Sequence, residues 1–182
     1  MILYVGDISK QDAEVLANFA VIANKILEFG VGASTQVLGY YTDGTLISID
    51  TERSWLEKTA QRLADLKLEV GKVRLLDYQW FMQQESGSKW DLVFDDGADH
   101  LRRQFALEIW PYIEPNGWLL MHDQRRRPDW DTTAHIISHY WTEIGTVHYN
   151  HLDSNITCIQ KRVKPATWTN WQIDEQIDMT KW

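Results

Sequence analysis

The sequence predicts an α/β fold: one doubly wound, mostly parallel sheet that finishes in a C-terminal antiparallel hairpin. Three observations predict it. Short β-like runs alternate with longer segments of helical period along the chain, the order expected of repeated strand–helix–strand units. A glycine turn closes the first of those strands, where a sheet of this kind begins to bind ligands. No repeat, low-complexity linker or shift of composition divides the 182 residues, a length that suits one core.

Each element has its own warrant. Asp12 to Lys25 carries Val15, Leu16, Phe19, Ala20 and Ile22 at helical spacing, and Ile26 to Phe29 is a short strand ending in glycines. A helix is compatible with the residues after that turn. Leu46 to Ile49 is the second strand. Thr51 to Leu66 reads as a helix, capped by Thr51, with Trp55, Ala60, Leu63 and Leu66 as its apolar face. Val73 to Leu76 and Asp91 to Phe94 are the third and fourth strands. Asp99 to Ile113 is helical, with Phe105, Ile109 and Tyr112 on one side, and Pro115-Asn116-Gly117 is a turn. Trp118 to Met121 is the fifth strand, and Asp131 to Ile144 a helix. Thr146 to Tyr149 and Ile156 to Ile159 pair as a hairpin across Asp153-Ser154-Asn155. Residues 1–163 thus form one domain. The tail 164–182 holds Trp168, Trp171 and Trp182, and three indoles favour packing on the domain or on a partner subunit, as in a homo-oligomer.

The composition narrows the function. A net charge of −8 disfavours nucleic acid, whose binding is driven by phosphate neutralisation. One cysteine, Cys158, allows no internal disulfide and fits a reducing compartment. Met1 to Gln11 lacks the basic start and apolar run of a signal peptide, and no stretch has the length of a membrane span. These features predict a soluble, cytoplasmic protein. Its partner is then a small molecule, with neither nucleic acid nor membrane involved.

The sharpest motif is Glu28-Phe29-Gly30-Val31-Gly32, with Thr35 beyond it and Asp50 twenty residues past Gly30 at the second strand end. Gly30 and Gly32 let a ligand approach the backbone, and an acid at Asp50 accepts ribose hydroxyls. A dinucleotide fingerprint asks for a small residue where Thr35 stands. Glu28 would repel a pyrophosphate but suits an ammonium group. The pattern resembles the first motif of class I S-adenosylmethionine-dependent methyltransferases, whose fold is Rossmann-like. The resemblance implies that Glu28, Gly30 and Gly32 line the methionine end, with Thr35 among the cofactor residues, and that Asp50 takes the ribose. It also implies that Asp77, after the third strand, reaches the adenine and that Tyr78 is a stacking wall. A helix N-cap is an equally good reading of Asp77.

A second acid-dense segment, Asp95-Asp96-Gly97-Ala98-Asp99-His100, follows the fourth strand, and His122-Asp123-Gln124 follows the fifth. Carboxylates gathered there need a cation or donors. The arrangement is similar to metal-dependent O-methyltransferases of the catechol and macrolide-sugar types. That likeness implies Mg²⁺ at Asp96, Asp123 and Gln124, with Asp95 as a substitute ligand, cofactor contact or catalytic acid. The sequence departs from the pattern at Gln124, where the family has Asn, and at Asp99, where the catechol enzymes carry a lysine. His100 and His122 flank the expected cleft as candidate bases. Arg125, Arg126 and Arg127 offer forked donors to an anionic methyl acceptor, or else neutralise nearby acids. The reading is therefore O-methylation of a small molecule. A non-catalytic nucleoside-binding or assembly module and a nicotinamide-dependent oxidoreductase are the alternatives.

Overall fold

The structure, a computed structural model, describes residues 8–68, 72–85 and 87–164. The tryptophans of the tail lie outside the described residues, as does the packing expected of them. Helix α1 (Lys10–Ile22) starts where the Ser9 hydroxyl accepts the Asp12 amide, two residues before its predicted start. It is followed by β1 (Lys25–Phe29), α2 (Ala33–Tyr41), β2 (Thr45–Asp50), α3 (Arg53–Asp65), β3 (Val73–Asp77) and α4 (Tyr78–Gln84). Next come β4 (Trp90–Asp95), α5 (Asp99–Ile109), β5 (Ile113–Met121), α6 (Arg127–His139), β6 (Ile144–His148) and β7 (Thr157–Lys161).

The seven strands lie in the order β3-β2-β1-β4-β5-β7-β6. Strands β1 to β5 pair in parallel, and β7 runs antiparallel to both β5 and β6. The predicted doubly wound sheet with an antiparallel end is the observed one. Strand order reverses between β1 and β4, whose tips are level because Phe29 pairs with both Ile49 and Asp95. A crevice beyond those tips is the expected ligand position of such a sheet.

Side chains alternate across the sheet and bury both faces, as parallel strands require. Ile26, Leu46, Phe94 and Leu120 join Leu16 of α1 and Leu38 of α2 in one layer. Leu27, Phe29, Ile49, Val93 and Leu119 meet Phe81 of α4 and Phe105 of α5 in the other. Among the described residues no helix is long and apolar enough to cross a membrane.

Several boundaries differ from the sequence reading. Thr51 does not cap α3, whose N-cap is Glu52 with its amide held by Asp50 Oδ1 at 2.8 Å. Trp55 and Ala60 are exposed; Thr59 and Leu63 take the inward positions. Helix α5 stops at Ile109 rather than Ile113; Trp110–Tyr112 continue it as a 3₁₀ turn, in which Pro111 has no amide to donate to an α-helical ladder. Pro115-Asn116-Gly117 lies inside β5, with Asn116 in left-handed conformation. Helix α6 spans Arg127–His139, with Pro128 in its first turn. The β6–β7 connection runs over 149–156 and contains a short 3₁₀ turn (His151–Asp153), so it is no tight hairpin.

Candidate functional site

The glycine turn is built by backbone bonds that leave little free. The Gly30 amide donates to the Ile49 carbonyl at 2.9 Å. The Val31 amide donates to Asp50 Oδ2 at 3.0 Å, and the Gly32 amide to Thr35 Oγ1 at 2.9 Å. Thr35 is fully buried and acts as a cap of α2. Asp50 therefore fixes the turn through one oxygen and the start of α3 through the other, while lining the cleft. Each carboxylate oxygen retains a lone pair for a ligand.

The two glycines differ. Gly30 has φ +95, and a β-carbon there would sit 2.3 Å from the Asp96 carbonyl oxygen. Gly32 is extended, and a β-carbon there would meet nothing within 4 Å. Gly30 thus serves the crossing of the turn over β4, whereas Gly32 borders the open space of the cleft.

The cleft holds ≈ 330 Å³ and runs from Ile8 past Gly30–Ser34, Asp50–Glu52 and Trp55 to Asp96–Ala98 and His122. That volume is within the range of small-ligand sites. Glu28 lies under the turn, fully buried, with neither oxygen hydrogen-bonded. Burial pushes its carboxyl up to about 7, against the stabilising hydroxyls of Ser34, Ser48 and Thr35, which lie close without completing a bond.

Beyond the turn is a dense ionic network. His122 lines the cleft; its Nδ1 is 3.0 Å from Asp96 Oδ1 and 3.5 Å from Asp123 Oδ1. Its Nε2 is 3.4 Å from Asp12 Oδ2, an ion-pair contact at an angle short of a hydrogen bond. Burial works against the charged ring, but contacts with Asp12 and Asp96 outweigh it and raise His122 to about 10. The side chain is an imidazolium clamped between acids, so it does not fit the role of general base. Asp12 answers it. Burial would raise that carboxyl, yet His122, the Ser9 hydroxyl and the Asn155 amide hold it at about 2.

Arg102 sits at the centre of the network. Its side chain is 6% exposed and reaches Asp96 at 2.8 Å, Asp123 at 3.2 Å and Asp129 at 3.0 Å. Its Nε donates to the Gly97 carbonyl at 2.7 Å. Asp123 also takes Arg126 at 3.1 Å and the Asn155 amide group at 3.3 Å. Asp96, His122 and Asp123 each offer a ligand atom within 4.8 Å of the others, but these atoms already face cations and donors. Gln124 does not join them: its Nε2 donates back to the His122 carbonyl at 2.8 Å. The residues expected to hold Mg²⁺ do not fit it.

Other expectations are relocated. Asp95 is fully buried on the far face of the sheet, and both oxygens lack a hydrogen bond. Burial pushes it well above the carboxylate range, opposed by Arg102. Asp77 caps α4 by accepting the Trp80 amide at 2.9 Å, and Tyr78 is buried against Phe29 with ring centroids 4.7 Å apart. Neither lines the cleft; Trp55 is the aromatic side chain that does. His100 is exposed and does not line it. Arg126 is ion-paired with Asp99, Asp123 and Asp129. Arg125 donates to the Asp153 carbonyl, and Arg127 lies 3.8 Å from Asp131. None of the three lines the cleft, so the run neutralises and ties loops rather than forming an anion pocket.

Arg102, Asp12, Asn155 and Trp55 were missed from the sequence. Arg102 had a signal: it shares the inward face of α5 with Phe105, Ala106 and Ile109. A cation on an apolar helix face beside acid-dense strand ends foretells a buried ion pair.

No family model and no curated protein matches the chain. Solved structures do match. TomG, an O-methyltransferase of Streptomyces achromogenes involved in tomaymycin synthesis and solved with S-adenosylmethionine, superimposes with a TM-score of 0.69 at 16% identity. The match covers 87% of this chain and 82% of that one. A methyltransferase-like protein of Silicibacter pomeroyi gives 0.65 at 19% identity, over 93% of this chain and 94% of that one. A methyltransferase of Geobacter sulfurreducens gives 0.66 at 16%, over 86% and 81%. The chain has the fold of the class I S-adenosylmethionine-dependent O-methyltransferases. At these identities the likeness is one of fold, and the substrate is not carried by it.

Proposed function

We propose that the chain binds S-adenosylmethionine in the cleft at the β1–β4 switch and methylates an oxygen of a small molecule. The observation that carries this reading is the glycine turn. Its first three amides are all spent on Ile49, Asp50 and Thr35, and a buried carboxyl, Glu28, lies under it. A pyrophosphate needs free amides and no carboxylate. An amino-acid ammonium is suited by the reverse, and Glu28 is a buried acceptor without a partner. In this reading Asp50 takes the ribose hydroxyls, Trp55 covers the face of the adenine and Gly32 admits the methionine moiety; all three line the cleft.

When bound, the cofactor would supply an electrophilic methyl group to an acceptor oxygen, with the electron pair of the broken C–S bond left on sulfur and the acceptor's hydroxyl proton passing to solvent. The chain's own part is orientation in a partly enclosed cleft, which accounts for a large share of such a barrier. Titration calorimetry with S-adenosylhomocysteine and with NAD separates the readings. We expect the first to bind about tenfold tighter or more, since the turn has its amides spent and a carboxyl beneath it. Tighter binding of NAD, or binding of neither, overturns the assignment. S-adenosylhomocysteine binding without turnover on any acceptor supports the non-catalytic module instead.

A further inference from the structure

The tips of β4 and β5 carry the carboxylates at which the resemblance expects a divalent ion, and the structure has a cation there of its own. One terminal nitrogen of Arg102 lies 2.8 Å from Asp96 Oδ1 and 3.2 Å from Asp123 Oδ2, so it bridges the two carboxylates. The other terminal nitrogen is bonded to Asp129 at 3.0 Å, and Nε to the Gly97 carbonyl at 2.7 Å. Each of the three guanidinium nitrogens is therefore bonded, and the group is held in place by α5 on one side and by Asp129 of α6 on the other. Asp123 has further donors in Arg126 and Asn155. Gln124 is turned to its own backbone.

We infer that Arg102 takes the place of the divalent cation, tying the β4 and β5 tips together as a fixed internal counter-ion. A hard divalent ion asks for carboxylate oxygens free to approach to about 2.1 Å in octahedral array. Here the same oxygens are shared with a desolvated guanidinium whose own position is over-determined. An ion entering between these partly exposed carboxylates would have to displace a buried cation that is also anchored to the buried Asp129, and the repulsion acts at close range. Arginine suits the post: its charge is permanent and its planar fork satisfies several carboxylates at once. Arg102 itself does not line the cleft. It acts through Asp96, which does, and is a positioning residue.

Removing the guanidinium has a definite consequence. Asp96 and Asp123 keep carboxylate oxygens within 4.8 Å of one another, so the vacated space becomes a place where a divalent ion replaces the lost charge. Titration of the intact protein with Mn²⁺, followed by the loss of free-ion paramagnetic resonance signal, tests the first half without any cofactor. We expect no Mn²⁺ binding at these residues in the wild type, with the same titration curve in Asp123→Asn. A wild-type site abolished by Asp123→Asn overturns the inference, and this comparison needs no Arg102 variant. The second half uses Arg102→Ala and Arg102→Lys. Arg102→Ala is expected to bind Mn²⁺ about tenfold tighter or more than wild type, in the range by which neighbours of metal sites shift affinity. Arg102→Lys, which retains a charge, is expected to stay near wild type. A folded Arg102→Ala protein with no gain in Mn²⁺ affinity overturns the replacement. The inference concerns the cleft assigned above to S-adenosylmethionine, yet the Mn²⁺ readout is independent of it. Failure of cofactor binding and failure of the cation replacement are thus seen in different experiments.

Discussion

Gly30 and Gly32 stand two residues apart and carry opposite duties. A side chain at Gly30 meets the Asp96 backbone and a φ of +95, so Gly30→Ala strains the fold itself. The cost is expected at about 2 kcal/mol or more, with the folded fraction losing affinity as a consequence. A side chain at Gly32 meets open space. Gly32→Val should therefore leave the melting temperature nearly unchanged and still weaken S-adenosylhomocysteine binding about tenfold or more, because the volume goes where the ligand does. Thermal melts and calorimetry on the pair decide it; a Gly32→Val protein that binds normally removes the ligand from this turn. Glu28 gives a pH signature. Its folded value of about 7 lies above the 4.5 of the unfolded chain, so the fold prefers the protonated form. The groups facing it are the hydroxyls of Ser34 and Thr35 from α2, Ser48 from β2 and the Asp96 carboxylate from the β4 tip, and the last of these raises it further. Stability is thus complete below 4.5 and is lost as pH rises through about 7, by ~1–3 kcal/mol. Glu28→Gln should melt higher than wild type at pH 8 and equally at pH 4, while binding S-adenosylhomocysteine more weakly, a trade typical of functional groups. Equal melting temperatures at both pH values would show that the carboxyl is not held protonated by the fold.

At the scale of elements, the docking of α1 and of the β6–β7 connection turns on Asp12. One of its oxygens accepts the Asn155 amide at 2.6 Å; the other accepts the Ser9 hydroxyl at 2.5 Å and faces His122. Asp12→Ala leaves the buried imidazolium without one partner and the Asn155 amide without its acceptor, so a loss of about 3 kcal/mol is expected. Denaturant titration measures it, and hydrogen exchange should show residues 149–156 opening first. A loss below ~0.5 kcal/mol would mean that α1 is held by its apolar face alone. The sequence showed α1, since Val15, Leu16, Phe19 and Ala20 share its inward stripe, although Ile22, read with them, is exposed; Asp12 entered only as the first residue of the predicted helix. Its partners lie in segments far along the chain, and periodicity within a helix carries no trace of them. Arg102 is the contrary case, a lone cation on the Phe105–Ile109 face whose burial was legible in the pattern itself. Helix α4 went unread because its seven residues, six of them aromatic or polar in no clear period, are too short for a moment to develop. Its cap at Asp77 was readable. The glycine turn and Asp50 were legible because backbone chemistry restricts which residues can stand there. The acids at the β4 and β5 tips were legible as a cluster, while which of them Arg102 meets was set by tertiary packing.

For the molecule as a whole, strand order decides where a ligand must act. The β1–β4 switch places the glycine turn, the β2 tip and the β4 tip around one crevice, and the antiparallel β7 and β6 extend the sheet away from it. A ligand seated there should stabilise the fold by mass action. S-adenosylhomocysteine at a hundred times its dissociation constant contributes about 2.7 kcal/mol. In a domain of this size that raises the melting temperature by roughly 5–10 °C. NAD at the same concentration should give no comparable rise. The position of the protection is the stricter test. Hydrogen exchange should slow at Val31–Ser34, at Thr51 and Glu52 beyond β2, and at Gly97 and Ala98 beyond β4, since these residues line the cleft. Exchange in β6 should change little beyond the general stabilisation, because that strand lies three places from β4 across β5 and β7. A second, smaller cleft lies at the amino ends of the strands, between Phe19, Ala23, Asp91 and Trp118. If protection gathered there, the ligand would be bound at the wrong end of the sheet for the turn, Asp50 and Glu28 to touch it. The cofactor assignment would then fall, even with the fold and the thermal shift intact.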